Sequence, residues 1–495
     1  MSRVATFVLV LFPVLLNCIP CQAQNLCSSP SNNLICVIPQ LYSTTGGVNI
    51  PNQSQHAHFD QDFQQDAQGL TSAVGAAGTE LTILRLASPA AGVSFVFDKN
   101  LAVVTRSTES YGPILGERAE TIGRHRLFVA GSYQYFPFRT LNGLDLKRVP
   151  ATYNAADTLN PDGTHRNPAI DPPSPGNPGS ELEYLTTTNR IDLKVHQFTL
   201  YATYGLTNRV DVSVAIPILN VQLGVSSQAT IVRNLDPIQQ GPALKAAWLA
   251  NPNTLPGILY PSTGPAIGCQ NTPAGCTGYF YYFDPNNPAT SLTAPFLNAK
   301  TASGIGDVVF RIKGTIFQGE RGAVALGADV RVPSGDEKNF LGSGAPGVEP
   351  FIAVSYRARI TPHANIGYQI NGSSILAGNP VLGTEARIPD QLLYSAGLDA
   401  NINRKLTLAV DFLGARLYDA PGVRQGPWVD LVGVSHPDIL QTFPTHQSFN
   451  MNDLAAGGKY SLHGNLLLTG NVQFKLDDGG LRARVVPLVG LSYTF

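Results

Sequence analysis

"DVVFRIKGTIFQGERGAVALGADVRV" occupies residues 307–332, and its alternation decides the fold. Val308, Phe310, Ile312 and Ile316 share one parity; Asp307, Arg311 and Lys313 hold the other. After the turn QGERG the beat resumes, with Val324, Leu326, Ala328, Val330 and Val332 opposing Asp329 and Arg331. A period of two is that of a β-strand with one oily and one polar face. If the oily faces meet lipid, the charged parity must face an enclosed lumen, because a charge at mid-depth costs about 2–4 kcal/mol.

The same beat runs from residue 126 to the end. "RLFVAGSYQYF" (126–136), "RIDLKVHQFTLYATY" (190–204) and "VDVSVAIPILNVQL" (210–223) precede the quoted hairpin, and three further hairpins and a closing strand follow it. Counting from 126 gives twelve strands, with short turns and longer loops in alternate places. The expected fold is therefore all-β, a transmembrane antiparallel barrel of about twelve strands. The same logic places Asp192, Lys194, His196, Asp211, Asp399, Asp411, Asp453, Lys459 and Gln473 on the lumen side. A β-sandwich with its polar face in water is the alternative, disfavoured by export and low charge.

One strand departs from the pattern. In 190–204, Ile191, Leu193 and Val195 lie on one face, whereas Phe198, Leu200, Ala202 and Tyr204 continue on the other. A β-bulge near His196–Phe198 would reconcile them, either as ordinary curvature or as a lateral exit for an apolar solute. Pro217 and Pro487, each lacking a ladder donor, mark distortions near a rim.

The other end of the chain supports export. MSR, the apolar run 4–16 and a small residue at Ala23 form a secretory signal, with cleavage expected after Ala23. Charged residues make up 14% of the chain against ~25% in typical soluble domains, and the net charge is −1, so nothing points to nucleic acid. Forty-eight glycines and thirty-seven prolines fit turns better than packed helices. Beyond the signal no apolar run is long enough for a spanning helix, which leaves a closed barrel as the integral option. Cys27 with Cys36, and Cys269 with Cys276, form two close pairs in turn-rich segments. Local disulfides are favoured over a metal site, since zinc spacing is absent. The organisation is a signal (1–23), a disulfide-stapled region with a possible periplasmic or lumen-plugging role (24–125), and the barrel (126–495).

The last strand carries Val489, Leu491, Tyr493 and Phe495 on one parity. This ending resembles the carboxy-terminal signature by which outer-membrane barrels are recognised for insertion, and so implies lipid and the barrel-assembly machinery as partners. A second likeness is more specific. "GIGDVVFRIKG" (304–314) followed by "ADVRVPSGDEKNFLGSG" (328–344) resembles the outer-membrane family of meta-pathway phenol-degradation proteins, itself akin to the fatty-acid and hydrocarbon transport barrels. Ser334 stands where that pattern has Thr. The likeness covers roughly 190–495 and implies a barrel and a route for small apolar or aromatic compounds.

Within 98–125, Arg106, Glu109, Glu117, Arg118, Glu120 and Arg124 are expected either to fold into the lumen as a plug or to form a solvated arm with an extra strand pair over 93–105. "GSGAPG" (342–347) has no helix after it to receive a phosphate, so a nucleotide site is rejected. "HAH" (56–58) lacks partners for a metal. No catalytic, cofactor or metal residues are assigned. The expectation is passive passage of a small apolar solute across the outer membrane. A lipid-acting enzyme, or an adhesive barrel working through its long loops, stands as the alternative.

Overall fold

The computed structural model describes residues 26–27, 30–42, 68–82, 84, 95–98, 103–106, 110–154, 183–233, 283–284, 291–379, 383–429 and 435–495. The pair Cys269 and Cys276, the signal, Glu109 and "HAH" lie outside them.

Twelve antiparallel strands form a closed ring. They are β1 (Leu127–Leu141), β2 (Glu183–Gly205), β3 (Val210–Arg233), β4 (Val308–Gln318), β5 (Gly322–Val332), β6 (Gly347–Tyr356), β7 (Ile360–Asn371), β8 (Gln391–Asn403), β9 (Leu406–Val429), β10 (Ser435–His463), β11 (Leu466–Lys475) and β12 (Val485–Thr494). Each pairs with its sequence neighbour, and β1 closes the ring by pairing with β2 on one side and β12 on the other. Among the described residues the twelve-strand ring itself has no unpaired edge strand, as a hydrocarbon solvent requires. Short turns such as 206–209, 319–321 and 404–405 gather at one end and long connections at the other, so the short-turn end is periplasmic. Phe310, Ile312, Val410, Val489, Leu491 and Tyr493 are exposed on the outer face, as is Phe495, whose ring packs edge-on against Tyr493. This is the outer-membrane barrel architecture.

Several strands outrun the bilayer. About 9–11 tilted residues span it, whereas β2, β3, β9 and β10 have 23, 24, 24 and 29. That length corrects the reading of residues 190–204. The β2–β3 register is unbroken from Glu183↔Arg233 to Gly205↔Asp211, so there is no bulge at His196–Phe198 and no kink there to serve as an exit. The environment changes instead of the backbone. In the lower half Phe198, Leu200 and Tyr204 face lipid, while Gln197, Thr199 and Thr203 face the lumen. In the upper half Ile191, Leu193 and Val195 turn inward onto an oily cap. Asp192, Lys194 and His196 therefore face outward and not into the lumen. Asp192 and Lys194 pair at 2.8 Å in solvent, and His196 Nδ1 meets the Tyr133 hydroxyl at 2.7 Å on the outer face.

The wall does break elsewhere. A strand over Thr293–Ile305, within what the sequence reads as a long loop, pairs with the upper half of β3, and β4 pairs with the lower half. Gly306 and Asp307 fill the gap between them, and the Gly306 amide donates to Pro217 O at 2.8 Å. Pro487 sits one residue past the end of the β12–β1 ladder. Each proline thus lies at a ladder discontinuity, where a missing N–H is tolerated.

Candidate functional site

The lumen is closed at its periplasmic end by residues 110–123. This segment is neither helix nor strand, so its backbone groups need partners from elsewhere, and the charged wall supplies them. Lys459 Nζ donates to the carbonyls of Tyr111 and Pro113 at 3.2 and 2.5 Å. The amides of Leu115 and Gly116 donate to the Asp411 carboxylate, and that of Ile122 to Asp211 at 2.9 Å. Lys313 Nζ reaches the Arg118 and Glu120 carbonyls, both at 3.0 Å. Side chains reciprocate. Glu117 accepts from Lys313 at 2.8 Å and from Arg311 at 2.5 Å, and Arg311 also forks onto Asp329. Arg118 meets Asp399 at 3.3 Å, while Glu120 takes Ser355 and Arg357. Gly116 passes so close to the wall that a Cβ there would lie 2.7 Å from His363 Nε2.

Of the residues expected in a plug, Glu117, Arg118 and Glu120 are buried in this segment, and Arg124 is exposed at the periplasmic turn. Arg106 ends a separate hairpin, Phe95–Asp98 with Val103–Arg106. Asp211, Asp307, Arg311, Lys313, Asp329, Arg331, Asp399, Asp411, Asp453 and Lys459 all point inward, and each has a polar partner there.

His363, between Asp399 (3.3 Å) and Asp411 (2.7 Å), is a lumen residue the sequence reading passed over. The inward parity of β7, Thr361, His363, Asn365, Gln369 and Asn371, carried the signal. Ser110 completes a Ser–Asp–His cluster, but its hydroxyl bonds Asp399 and not the imidazole. Ser110 therefore does not make the nucleophile–base contact of a serine hydrolase with His363.

The extracellular end is closed by residues 26–42 and by helix α1 (Gln68–Leu81). Cys27 and Cys36 are joined by a disulfide. Leu34, Ile35, Ile38 and Leu41 share one apolar cluster with Ile191, Leu193, Val221 and Leu223 of the wall, so this cap and the upper barrel have a common core. Polar contacts fix the cap's position. The Tyr42 hydroxyl donates to Asn189 Oδ1 at 3.0 Å, Thr79 Oγ1 to Leu376 O at 3.1 Å, and Arg331 to Thr82 O at 3.2 Å. Glu80, on the last turn of α1, accepts from the Leu481 amide. Burial pushes its carboxyl up to about 8, against the partial pull of the Leu481 amide and Arg482.

The GIGD and PSGD segments meet at the wall break. Asp307 accepts from the amides of Gly335 (3.1 Å) and Ser343 (2.7 Å) and from the Ser343 hydroxyl, so the loop 333–346 is pinned inward. Phe340 and Leu341 of that loop enter the lumen and join the apolar cluster. The glycine string of 342–347 thus serves close packing: a Cβ on Gly342 would lie 2.4 Å from Asp307 Oδ1.

Between the two closures lies a chamber of about 220 Å³, bounded above by Leu81 and Leu84 and below by Leu115 and Glu117. Leu81 and Phe340 also border a small apolar pocket of about 20 Å³ beneath the cap, lined by Ile38, Leu193 and Leu223. A third chamber of about 60 Å³ lies towards β1, β10 and β12.

Residues 276–414 match the family model described as "Putative MetA-pathway of phenol degradation". The motif resemblance is to this same family. The matched stretch holds the GIGD and PSGD segments and their meeting point at Asp307. No curated protein matches the chain. Among solved structures it is similar to an outer-membrane channel from Pseudomonas putida F1, with 11% identity, 76% of this chain and 98% of that chain covered, and a TM-score of 0.36. It is similar as well to the P. putida toluene transporter TodX, with 11% identity, 79% and 99% covered, and a TM-score of 0.30. A Pseudomonas aeruginosa FadL homologue shares 10% identity over 76% of this chain and 90% of that one, at a TM-score of 0.29.

Proposed function

We propose that this chain is an outer-membrane channel for the passive uptake of small apolar or aromatic solutes, exported after cleavage near Ala23. The observation that carries the reading is the doubly closed lumen. An apolar pocket under the cap and a larger mixed chamber below it share Leu81 and Phe340, and residues 110–123 beneath them are held by hydrogen bonds to wall side chains. Small pockets with apolar linings and a few polar groups suit small, mostly apolar ligands. A wide ionic pore is disfavoured, because the wall charges are engaged by residues 110–123, by the loop 333–346, by the cap and by one another. The family description agrees in chemical class.

The test is equilibrium binding of toluene to the purified full chain in detergent, together with its passage into vesicles containing the protein. Saturable binding and passage faster than in protein-free vesicles are expected. Neither effect above the protein-free control would overturn the reading.

A further inference from the structure

The outer wall is unevenly charged. On β2 the outward parity climbs from Tyr204 at the periplasmic turn through Leu200 and Phe198 to His196, and Lys194, Asp192 and Arg190 follow. About 9–11 tilted residues cross the hydrocarbon, so a span that begins at Tyr204 ends near Lys194. An aromatic layer marks that height, as in the girdle of an outer-membrane barrel. The Tyr133 hydroxyl meets His196 Nδ1 at 2.7 Å, and the Tyr135 ring centroid lies 4.8 Å from the imidazole. Arg139 of β1 is exposed just above it, two positions past Pro137, which faces Lys194. The Leu146 amide donates to Arg139 O at 2.9 Å and the Ile191 amide to Leu146 O at 2.7 Å, so residues 142–148 wedge between β1 and β2 at this level. They add exposed Lys147 and Arg148, and the pairing Val149↔Asn189 brings Arg148 level with Arg190. Five cations thus share one patch with two carboxylates, Asp145 and Asp192. Lys194 holds Asp192 at 2.8 Å. Among the described residues the side chains of Arg139, Arg148 and Arg190 make no hydrogen bond or ion pair. Like charges side by side across a ladder are destabilising. Elsewhere the wall differs: the outward residues at that height on β5, β6 and β7 are Val330, Val348 and Ile370. Across the barrel the outward Arg416 is engaged, over the Tyr418 ring and on Asn450 Oδ1.

We infer that this patch docks an outer-leaflet glycolipid of the lipid A type, whose headgroup carries two phosphates. Such phosphates sit just above the hydrocarbon, at the height of Arg139 and Lys194. The cations exceed the carboxylates by three charges, and two phosphates of about −1.5 each balance them. A guanidinium grips a phosphate through paired N–H donors, and Arg139 and Arg190 are free to do so on separate strands. The acyl chains then run down the exposed Val129, Phe198 and Leu200 directly below. A small anion in water would use the cations alone, whereas one molecule spanning both layers uses the charged patch and the oily face together. The surface lies outside the lumen, so the inference is independent of the solute.

The test is competition between diphosphorylated lipid A and phosphatidylcholine for the full chain in mixed micelles, with the bound lipid read by native mass spectrometry. Wild type is expected to retain lipid A preferentially. One basic side chain near a lipid surface is worth about fivefold in binding. Arg139→Gln combined with Arg190→Gln is therefore expected to weaken the preference by about twentyfold to thirtyfold. Asp192→Asn removes an acid from the patch and is expected to strengthen it by about fivefold. Arg209→Gln, the same kind of change on the exposed periplasmic turn, is expected to leave it unaltered. All of these residues are exposed, so the variants are expected to fold, and resistance of the barrel to protease checks that they do. Equal retention of the two lipids by wild type overturns the inference, as does a folded double variant or an Asp192→Asn chain with the wild-type preference. Displacement of lipid A by millimolar inorganic phosphate overturns it as well, since the patch would then be a small-anion site. Phosphatidylglycerol held as tightly as lipid A does the same, by showing that a single phosphate suffices. Each of these results leaves the channel reading standing.

Discussion

Lys313 and Glu117 are 196 residues apart in sequence and 2.8 Å apart in the lumen, both nearly fully buried. Arg311 shares the same carboxylate. Glu117→Gln leaves the buried Lys313 and the partly buried Arg311 with one fewer anion, and breaking a buried pair in this way costs about 3–5 kcal/mol. The expected outcome is release of residues 110–123 from the wall and a larger single-channel conductance, with the barrel still folded. Conductance equal to that of wild type would show that the segment is held without this pair.

The cap should respond to pH through Glu80. Its carboxyl is raised by burial from an ordinary 4.5 to about 8 when α1 is docked. Between those values the docked state holds a proton that the undocked state does not. Docking is therefore strongest in acid, weakens as pH rises through that window and levels off above it. Hydrogen exchange over residues 68–82 should accelerate between pH 5 and pH 8 beyond the intrinsic base effect. Glu80→Gln should abolish that excess.

The loop 333–346 depends on two glycines packed against Asp307. In Gly342→Ala the new Cβ would lie 2.4 Å from Asp307 Oδ1 and 2.6 Å from Gly335 Cα. Asp307→Ala instead leaves the amides of Gly335 and Ser343 without their acceptor, a loss of about 1–3 kcal/mol for a buried donor. Both variants should make 333–346 cleavable by added protease while the barrel resists. Equal resistance in both would show that the loop is held by Phe340 and Leu341 alone.

Neighbouring residues of β4 should tolerate charge in opposite ways. Ile312 is 53% exposed on the lipid face, and Lys313 is buried in the lumen beside it. Ile312→Lys should destabilise the barrel in vesicles by about 2–4 kcal/mol, the cost of a lysine near mid-depth. Urea unfolding in lipid vesicles measures this, and a cost below 1 kcal/mol would place β4 outside the hydrocarbon.

The alternation in the sequence is enough to count the twelve strands of the ring and to say which parity of β4 and β5 carries charge, because strand alternation is local and the bilayer penalises every outward charge alike. The sequence also gathered Glu117, Arg118 and Glu120, together with Arg106, Glu109 and Arg124, as charges in a stretch that could either plug the lumen or form a solvated arm. It could not say that Ile191, Leu193 and Val195 turn inward. Their environment is set by a cap more than a hundred residues earlier in the chain, so an alternation that never breaks looked like a bulge. His363 drew no notice for the same reason: a polar residue on a lumen parity is ordinary until its neighbours are known. Only the closed tertiary structure brings residues 110–123 against the lumen side of the wall, since burial and pairing depend on every strand of the ring at once.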